Sequence, residues 1–378
     1  MTKTVSETVS EIDIDIDTET IETTLLVTGG CGFIGSHFIN HIYYKTNYNI
    51  INFDAMYYCA SETNVQQEIR DDNKRYKLIK GNLCSYDLVN HVINDYKISY
   101  VIHFAAQSHV QNSFEDSLQY TKDNILGTHT LLETCRKYGK IKKFIHVSTD
   151  EVYGESMLPT QCTKNEQNID NGLCPTQCTE NVQTIEDIEL RVSSNTLGED
   201  KKTEESILCP TNPYAATKAG AELIAQSYYH SFKMPIIITR GNNVYGPNQY
   251  PEKLIPRFIE LLRDNKKVTI QGDGSNIRAF LHSHDVARAF EIILEKGKIG
   301  EIYNIGSDEN QEYTVLQVAN MLIEKIKKTK EHNDWITYIE DRPFNDKRYY
   351  ISNQKIKDLG WSIDIDFEDG INDLLKLI

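Results

Sequence analysis

The chain has 378 residues, 39% of them hydrophobic, and a formal net charge of −15. This length suits one large α/β domain with a smaller lobe, or two domains of ordinary size. The acidic balance argues against nucleic acid or an anionic membrane as the main partner, while leaving room for a small anion held by local cations and backbone N–H groups. No apolar run approaches the roughly 18 residues of a membrane span. The N-terminus lacks a basic segment followed by an apolar one, so no secretion signal is expected.

Residues 1–22 are acidic and Thr-rich, and an Ile/Asp alternation whose polar positions are all like-charged predicts a disordered acidic tail. Regular structure begins at Thr23. Short apolar runs at 24–28, 50–53, 77–79, 100–104, 143–148 and 236–240 read as buried parallel strands. Helical stretches at 34–45, 85–96, 122–138 and 213–232 lie between them. Such alternation predicts a Rossmann-type, doubly wound parallel sheet with helices on both faces, in the α/β class. A late strand at 302–305 is expected to return to that sheet.

Residues 156–206 break the pattern. They are polar, and Pro-Thr-Gln-Cys-Thr occurs at 159–163 and again at 175–179. Two short copies are too few for a repeat architecture, so a polar surface insertion is expected. Beyond Gly241, helices at 253–264 and 315–328 alternate with brief strands and Pro-bearing loops, which predicts a smaller lobe folded onto the sheet. The eight cysteines form no CxxC pair, and the spacing of Cys162, Cys174 and Cys178 fits no standard zinc pattern. Reduced thiols, a cytoplasmic location and no metal are the expectation.

The first strand runs into Thr28-Gly29-Gly30-Cys31-Gly32-Phe33-Ile34-Gly35. A glycine-rich turn between a strand and a helix lets backbone N–H groups approach a pyrophosphate at the positive end of the helix dipole. Asp54 closes the second strand, 19 residues past Gly35, about where an acid takes an adenosine ribose hydroxyl. No Lys or Arg follows it within five residues, so NAD is favoured over its 2′-phosphorylated form.

Two motifs carry chemistry. Tyr214 and Lys218 are four residues apart and share a helix face. A neighbouring ammonium and a cationic nicotinamide would pull the phenol's pKa down and make it a base. The run Ser148-Thr149-Asp150-Glu151-Val152-Tyr153-Gly154 ends a sheet strand, at the edge where ligands of doubly wound sheets bind.

The glycine loop, Tyr214-x-x-x-Lys218 and the 148–154 run together resemble the extended short-chain dehydrogenase/reductase superfamily. Thr149-Asp150-Glu151 is similar to the signature of its nucleotide-glucose 4,6-dehydratases. Further matches are His103-Phe104-Ala105-Ala106-Gln107-Ser108-His109-Val110, Asn212-Pro213-Tyr214, the 240–247 run, the 251–256 run, Gly272-Asp273-Gly274 with Arg278, and Arg342-Pro343. The resemblance covers Thr23 to the C-terminus apart from the insertion.

It implies a nucleotide-diphosphate glucose as substrate and tightly bound NAD, regenerated each turnover. Tyr214, helped by Thr149, would take the C4 hydroxyl proton as C4 is oxidised. Glu151 would remove the C5 proton, Asp150 would protonate the departing C6 hydroxyl, and C6 would then be reduced. Lys218 would hold the nicotinamide ribose. The cofactor set implied is Gly29, Gly32, Phe33, Ile34, Gly35, Asp54, Asn82, Leu83, Ala105, Ala106, Tyr214 and Lys218. The substrate set is Ser108, His109, Asn243, Glu252, Lys253, Leu254, Arg278, Arg342 and Asn345, with Asn243, Lys253, Arg278 and Arg342 on the nucleotide diphosphate.

Gln107 and Asn345 replace a Glu and a His common in the thymidine-nucleotide branch, and several runs look more like the plant rhamnose-synthase dehydratase domain. UDP-glucose is therefore expected, with dTDP-glucose as the near alternative. Residues 23–240 with about 281–309 would form the NAD-binding part, and 241–280 with 310–378 the substrate-binding lobe. A homodimer is implied, paired through the helices at 122–138 and 213–232, where Ala219, Leu223 and Ala225 either face the partner or their own sheet. Rivals are a 4-epimerase, which needs no acid–base pair at C5 and C6, a glucuronate decarboxylase, which needs a cation for the C5 carboxylate, and a non-catalytic dinucleotide-binding regulator.

Overall fold

The computed structural model describes residues 23–156, 201–308, 311–341 and 345–377. The expected acidic tail, most of the insertion, its three cysteines and Arg342 lie outside the described residues. The centre is a seven-stranded sheet built from β1 (Thr24–Thr28), β2 (Asn49–Asp54), β3 (Tyr76–Lys80), β4 (Tyr100–His103), β5 (Lys143–Thr149), β6 (Ile236–Gly241) and β10 (Ile302–Ile305). The spatial order is β10-β6-β5-β4-β1-β2-β3, and every pairing is parallel. Strands such as TLLVT in β1 are buried along their whole length, as expected for a sheet covered on both faces.

Helices cover both faces because their apolar residues recur at helical spacing. On one face, Phe38, Ile39 and Ile42 of α1 (Phe33–Lys45) pack with the sheet. On the other, Val89, Val92 and Ile93 of α2 (Tyr86–Asp95) meet Leu131 and Leu132 of α3 (Gly127–Tyr138) and Ala225 and Tyr228 of α4 (Pro213–Phe232). The sequence reads one helix over 122–138. The structure instead has a π-helical turn at Thr121–Leu126 before α3, which brings buried Asn124 within hydrogen-bond reach of the Gln107 backbone and the Thr217 hydroxyl.

The remaining strands are short. β7 (Asn243–Tyr245), β9 (Ile277–His282) and β11 (Glu312–Thr314) form one small sheet, and β8 (Val268–Gln271) pairs with β12 (Ile336–Ile339). A separate apolar core joins them to α5 (Leu254–Arg263), α7 (Val315–Lys327) and α8 (Phe367–Leu377), through Phe258, Leu262, Leu322 and Phe367 among others. Between α5 and α7 lies α6 (Ser283–Lys296), a helix the sequence reading passes over; its Val286, Phe290 and Ile293 pack with Phe38 and Ile42 of α1.

The insertion is expected to run to 206, but its last residues belong to the fold. Lys202 bridges to Ile351, and Arg240 and Asn304 bond the carbonyl and carboxylate of Glu204. Among the described residues, no helix is long and apolar enough to cross a membrane.

Candidate active site

The strand order reverses between β1 and β4, which opens a crevice at their C-terminal ends. There Gly29 adopts φ +71°, and a Cβ on it would lie 2.7 Å from the Ala105 backbone. A Cβ on Gly35 would lie 2.4 Å from the Gly29 carbonyl. Only glycine lets this loop fold against the end of β4 and lets α1 start so close to it. No side chain caps α1 at Gly32, so the helix start is left to face a cavity of about 630 Å³. Asp54 closes β2 beside it, nine-tenths buried, with Oδ2 accepting from Cys31 N at 2.9 Å and Oδ1 from Met56 N at 2.8 Å. Uncapped helix N–H groups, a loop with no room for side chains and a carboxylate at the end of the neighbouring strand fit a dinucleotide.

Every residue assigned above to cofactor, substrate or chemistry lines this one cavity, except Arg342, which lies outside the described residues. Asn82 bonds the Cys84 backbone and the Tyr57 hydroxyl. Lys253 donates to the Ser108 carbonyl at 2.9 Å, and His109 stands 4.0 Å from Glu252. Arg278, on β9, donates to the Asn345 side chain at 3.1 Å and lies over the Tyr349 ring, 5.2 Å from its centroid.

At the floor, β5 ends at Thr149 and a 3-10 turn carries Asp150 and Glu151. Asp150 is 3% exposed. It accepts from Asn242 Nδ2 at 2.6 Å and from Thr149 Oγ1 at 3.1 Å. Burial, and next the charge of Glu151, push its carboxyl up to about 7. Glu151 accepts from Asn212 Nδ2 at 2.8 Å; burial raises it too, opposed by that hydrogen bond and by Arg278 and Lys253. Two adjacent carboxyls with raised proton affinity, one of which can hold a proton near neutral pH, suit an acid–base pair.

Tyr214 and Lys218 occupy the first turns of α4, and both are buried. The sequence expectation that Lys218 lowers the Tyr214 phenol is not met by the chain itself. The Lys218 ammonium donates to the Val147 carbonyl at 2.6 Å. Burial, followed by the charge of Glu151, raises the phenol above its ordinary value, with a hydrogen bond from Thr149 opposing. Burial also brings Lys218 down to about 8. The i, i+4 spacing fixes which face the two share but not where the longer side chain ends.

Sequence reasoning gave no role to Asn242, Asn212, Asp346 or Tyr349. The first two hold the carboxyl pair, and the last two line the cavity. Asn212 carried a readable signal: an Asn before Pro-Tyr at a helix start is an N-cap, and its Oδ1 accepts from Ala215 N.

Comparison with known proteins places the chain in a family. The family model described as GDP-mannose 4,6 dehydratase matches residues 26–171 and 193–374. A dTDP-D-glucose 4,6-dehydratase of Dictyostelium discoideum is 43% identical over 379 residues, covering 92% of this chain and 79% of its own. An Arabidopsis thaliana trifunctional UDP-glucose 4,6-dehydratase/UDP-4-keto-6-deoxy-D-glucose 3,5-epimerase/UDP-4-keto-L-rhamnose-reductase is 42% identical over 348 residues. That match covers 92% of this chain, which spans only 46% of the plant protein. Among solved structures, the dTDP-glucose 4,6-dehydratase of Streptomyces venezuelae, crystallised with NAD, superposes with a TM-score of 0.77 at 31% identity, covering 94% of this chain and 96% of its own. With a glycine-loop crevice, an adjacent Asp-Glu pair and an adjoining Tyr and Lys lining one cavity, the chain belongs to the nucleotide-sugar 4,6-dehydratases matched by that family model.

Proposed function

We propose that the protein converts UDP-glucose, or dTDP-glucose, to the 4-keto-6-deoxyglucose nucleotide with retained NAD. The observation that carries this is the Asp150–Glu151 pair, the first buried and the second half-buried, in the cavity that also holds Tyr214. A 4-epimerase has no use for such a pair. The sheet-centred part would hold NAD through Gly29, Gly32, Phe33, Ile34, Gly35, Asp54, Asn82, Leu83, Ala105 and Ala106. The part around β7–β9 and α5 would hold the sugar nucleotide, with Lys253, Arg278 and Arg342 as cations, Asn243, Glu252, Leu254 and Asn345 beside them, and Ser108 and His109 opposite. When bound, NAD supplies a reversible two-electron acceptor and a positive charge near Tyr214.

The chain's own residues move the protons. With the positive charge of the bound cofactor beside it offsetting burial, Tyr214 would ionise, helped by the hydrogen bond from Thr149, and its Oη would take the C4 hydroxyl proton as C4 is oxidised. A ketone at C4 acidifies the C5 proton, which the Glu151 carboxylate removes. Asp150, still protonated near neutral pH, gives its proton to the C6 hydroxyl as water leaves. Asn212 holds Glu151 and Asn242 holds Asp150, each amide donating to one carboxyl of the pair.

Residues 24–28 onward thus serve a lyase of deoxysugar (rhamnose-type) synthesis, for which a cytoplasmic homodimer is the expected setting. For the dimer, Leu126 and Leu223 offer exposed apolar surface on the π-turn and α4, whereas Ala219 and Ala225 face their own protomer. The test of function is to incubate the protein with each sugar nucleotide, without added NAD, and follow mass. Loss of one water from UDP-glucose is expected; loss only from dTDP-glucose would reassign the base. Appearance of the galactose epimer without mass change would overturn the dehydratase reading.

A further inference from the structure

We propose that Asp346 and Thr211 form a latch that positions Glu151 for removal of the C5 proton. The inference rests on the dehydratase reading and adds a positioning residue to it.

Asp346 follows β12 in the chain and is 3% exposed. Its carboxylate is held by hydroxyls: Thr211 Oγ1 lies 2.9 Å from each oxygen, and the Tyr349 hydroxyl donates to Oδ2. Thr211 immediately precedes Asn212, whose side chain is used at both ends. Its Nδ2 donates to Glu151 Oε2 at 2.8 Å, and its Oδ1 caps α4 by accepting from Ala215 N at 2.9 Å.

The backbone between these anchors is stiff. Pro213 fixes its own φ at the first helical position and keeps Asn212 extended, at φ −133° and ψ 161°. Thr211 therefore cannot move without turning the amide that holds Glu151. Tyr214, two residues past Asn212, has its own anchor, its backbone N–H donating to Ser113 Oγ at 3.2 Å, so the loss is confined to Glu151.

The other end of the latch reaches the cation expected on the diphosphate. Asn345 accepts from Arg278 at 3.1 Å, and Asn276 Nδ2 donates to the Asp346 carbonyl at 3.1 Å. Anion binding at Arg278 and placement of the base at C5 are thus joined through Asn345, Asp346, Thr211 and Asn212. Such a path lets binding energy from a non-reacting part of the substrate serve the reacting carbon. A plain structural tie between the 345–350 segment and α4 would show the same hydrogen bonds, so the test must read a single step.

Thr211→Val keeps the side-chain shape and removes the hydroxyl; Thr211→Ser restores it. Both are made in the full chain and supplied with UDP-glucose and dTDP-glucose. For Thr211→Val, product formation is expected to fall about ten- to a hundredfold, the range a misplaced catalytic group produces. KM should change less than about threefold. Near-ultraviolet absorbance of reduced nicotinamide should build up above the parent's level, because C4 oxidation outruns proton removal. The isotope effect from deuterium at C5 should rise. Thr211→Ser should recover the parent's behaviour.

Parental rates in Thr211→Val would overturn the latch. So would an equal loss of all steps, with no added reduced cofactor and no larger isotope effect. If Thr211→Val does not fold, Asp346→Asn, which retains one acceptor oxygen, must give the same signature at smaller size or the inference fails. A parent that makes no keto product from either nucleotide overturns the site's reading and the latch together; a working parent beside silent variants overturns the latch alone.

Discussion

Two pairs of ionisable groups sit at the same end of β5 and β6, and they are built in opposite ways. Arg240 on β6 faces Glu222 of α4; both are buried, the ion pair is close, and Arg240 also donates to the Tyr153 hydroxyl at 2.6 Å and lies over its ring. Tyr153 in turn donates to Asn304 Oδ1 at 2.8 Å. One turn away, Asp150 and Glu151 carry like charge and are met by neutral amides from Asn242 and Asn212. The first pair ties α4, which bears Tyr214, to the turn that bears Asp150 and Glu151. The second leaves charge uncompensated where protons have to move. A buried charge that is fully paired fixes geometry; one that is not keeps its pKa open to tuning.

That contrast can be broken from either side. The largest expected effect is on the reactive pair: Glu151→Gln should cut product formation by about 10²–10⁴-fold, the usual contribution of a general base, while leaving the melting temperature close to the parent's. A comparable loss of folding stability would mean the pair also serves the fold.

On the structural pair, Arg240→Met strands the Glu222 carboxylate and should cost about 3–5 kcal/mol in denaturant unfolding. A loss under about 1 kcal/mol would mean that Glu222 finds other partners or water.

The smallest effect has the opposite sign. Asp150 is raised from 3.8 to about 7 in the folded chain. The folded state therefore holds this proton longer than the unfolded state, and the cost of burying the charge is absent below about 3.8, grows up to about 7 and is constant above. Asp150→Asn removes that cost, so the variant should be inactive yet more stable by up to a few kcal/mol, with an advantage that widens across this window. An advantage equal at both ends would sink the account. Parental activity should likewise fall as pH rises past about 7, where Asp150 loses the proton it must give.

Much of this was legible in the sequence. Strands buried on both faces read as short apolar runs, so all seven of the large sheet were found within a residue or two, and the glycine loop with Asp54 announced the crevice. What stayed hidden was set by tertiary contact. The π-turn at Thr121–Leu126 leaves the apolar periodicity nearly unchanged. Lys218 points to a carbonyl 71 positions away in the chain rather than to its helical neighbour. Asn212, Asn242 and Thr211 meet partners 61, 92 and 135 positions away, and nothing local in a polar side chain says which distant atom it will find. The helix at Ser283–Lys296 is different, since its Val286, Phe290 and Ile293 spacing was readable and was missed.

The short stretch Arg348–Ser352 has a consequence for how this chain can change over evolution. Ser156 bonds the Arg348 carbonyl and the Tyr350 amide, and Lys202 bonds the Tyr350 carbonyl and the Ser352 amide. Ser156 and Lys202, the one just before the undescribed residues and the other soon after, thus meet this stretch at neighbouring rungs, roughly 7 Å apart at a strand's rise per residue. Where two points of a chain are already held together, a flexible connection between them costs only a slowly growing closure entropy, about 0.6 kcal/mol per doubling of length. The family model itself skips residues 172–192, inside this interval. Lineages could lengthen, shorten or exchange that interval while the chemistry beside Glu151 stays in register.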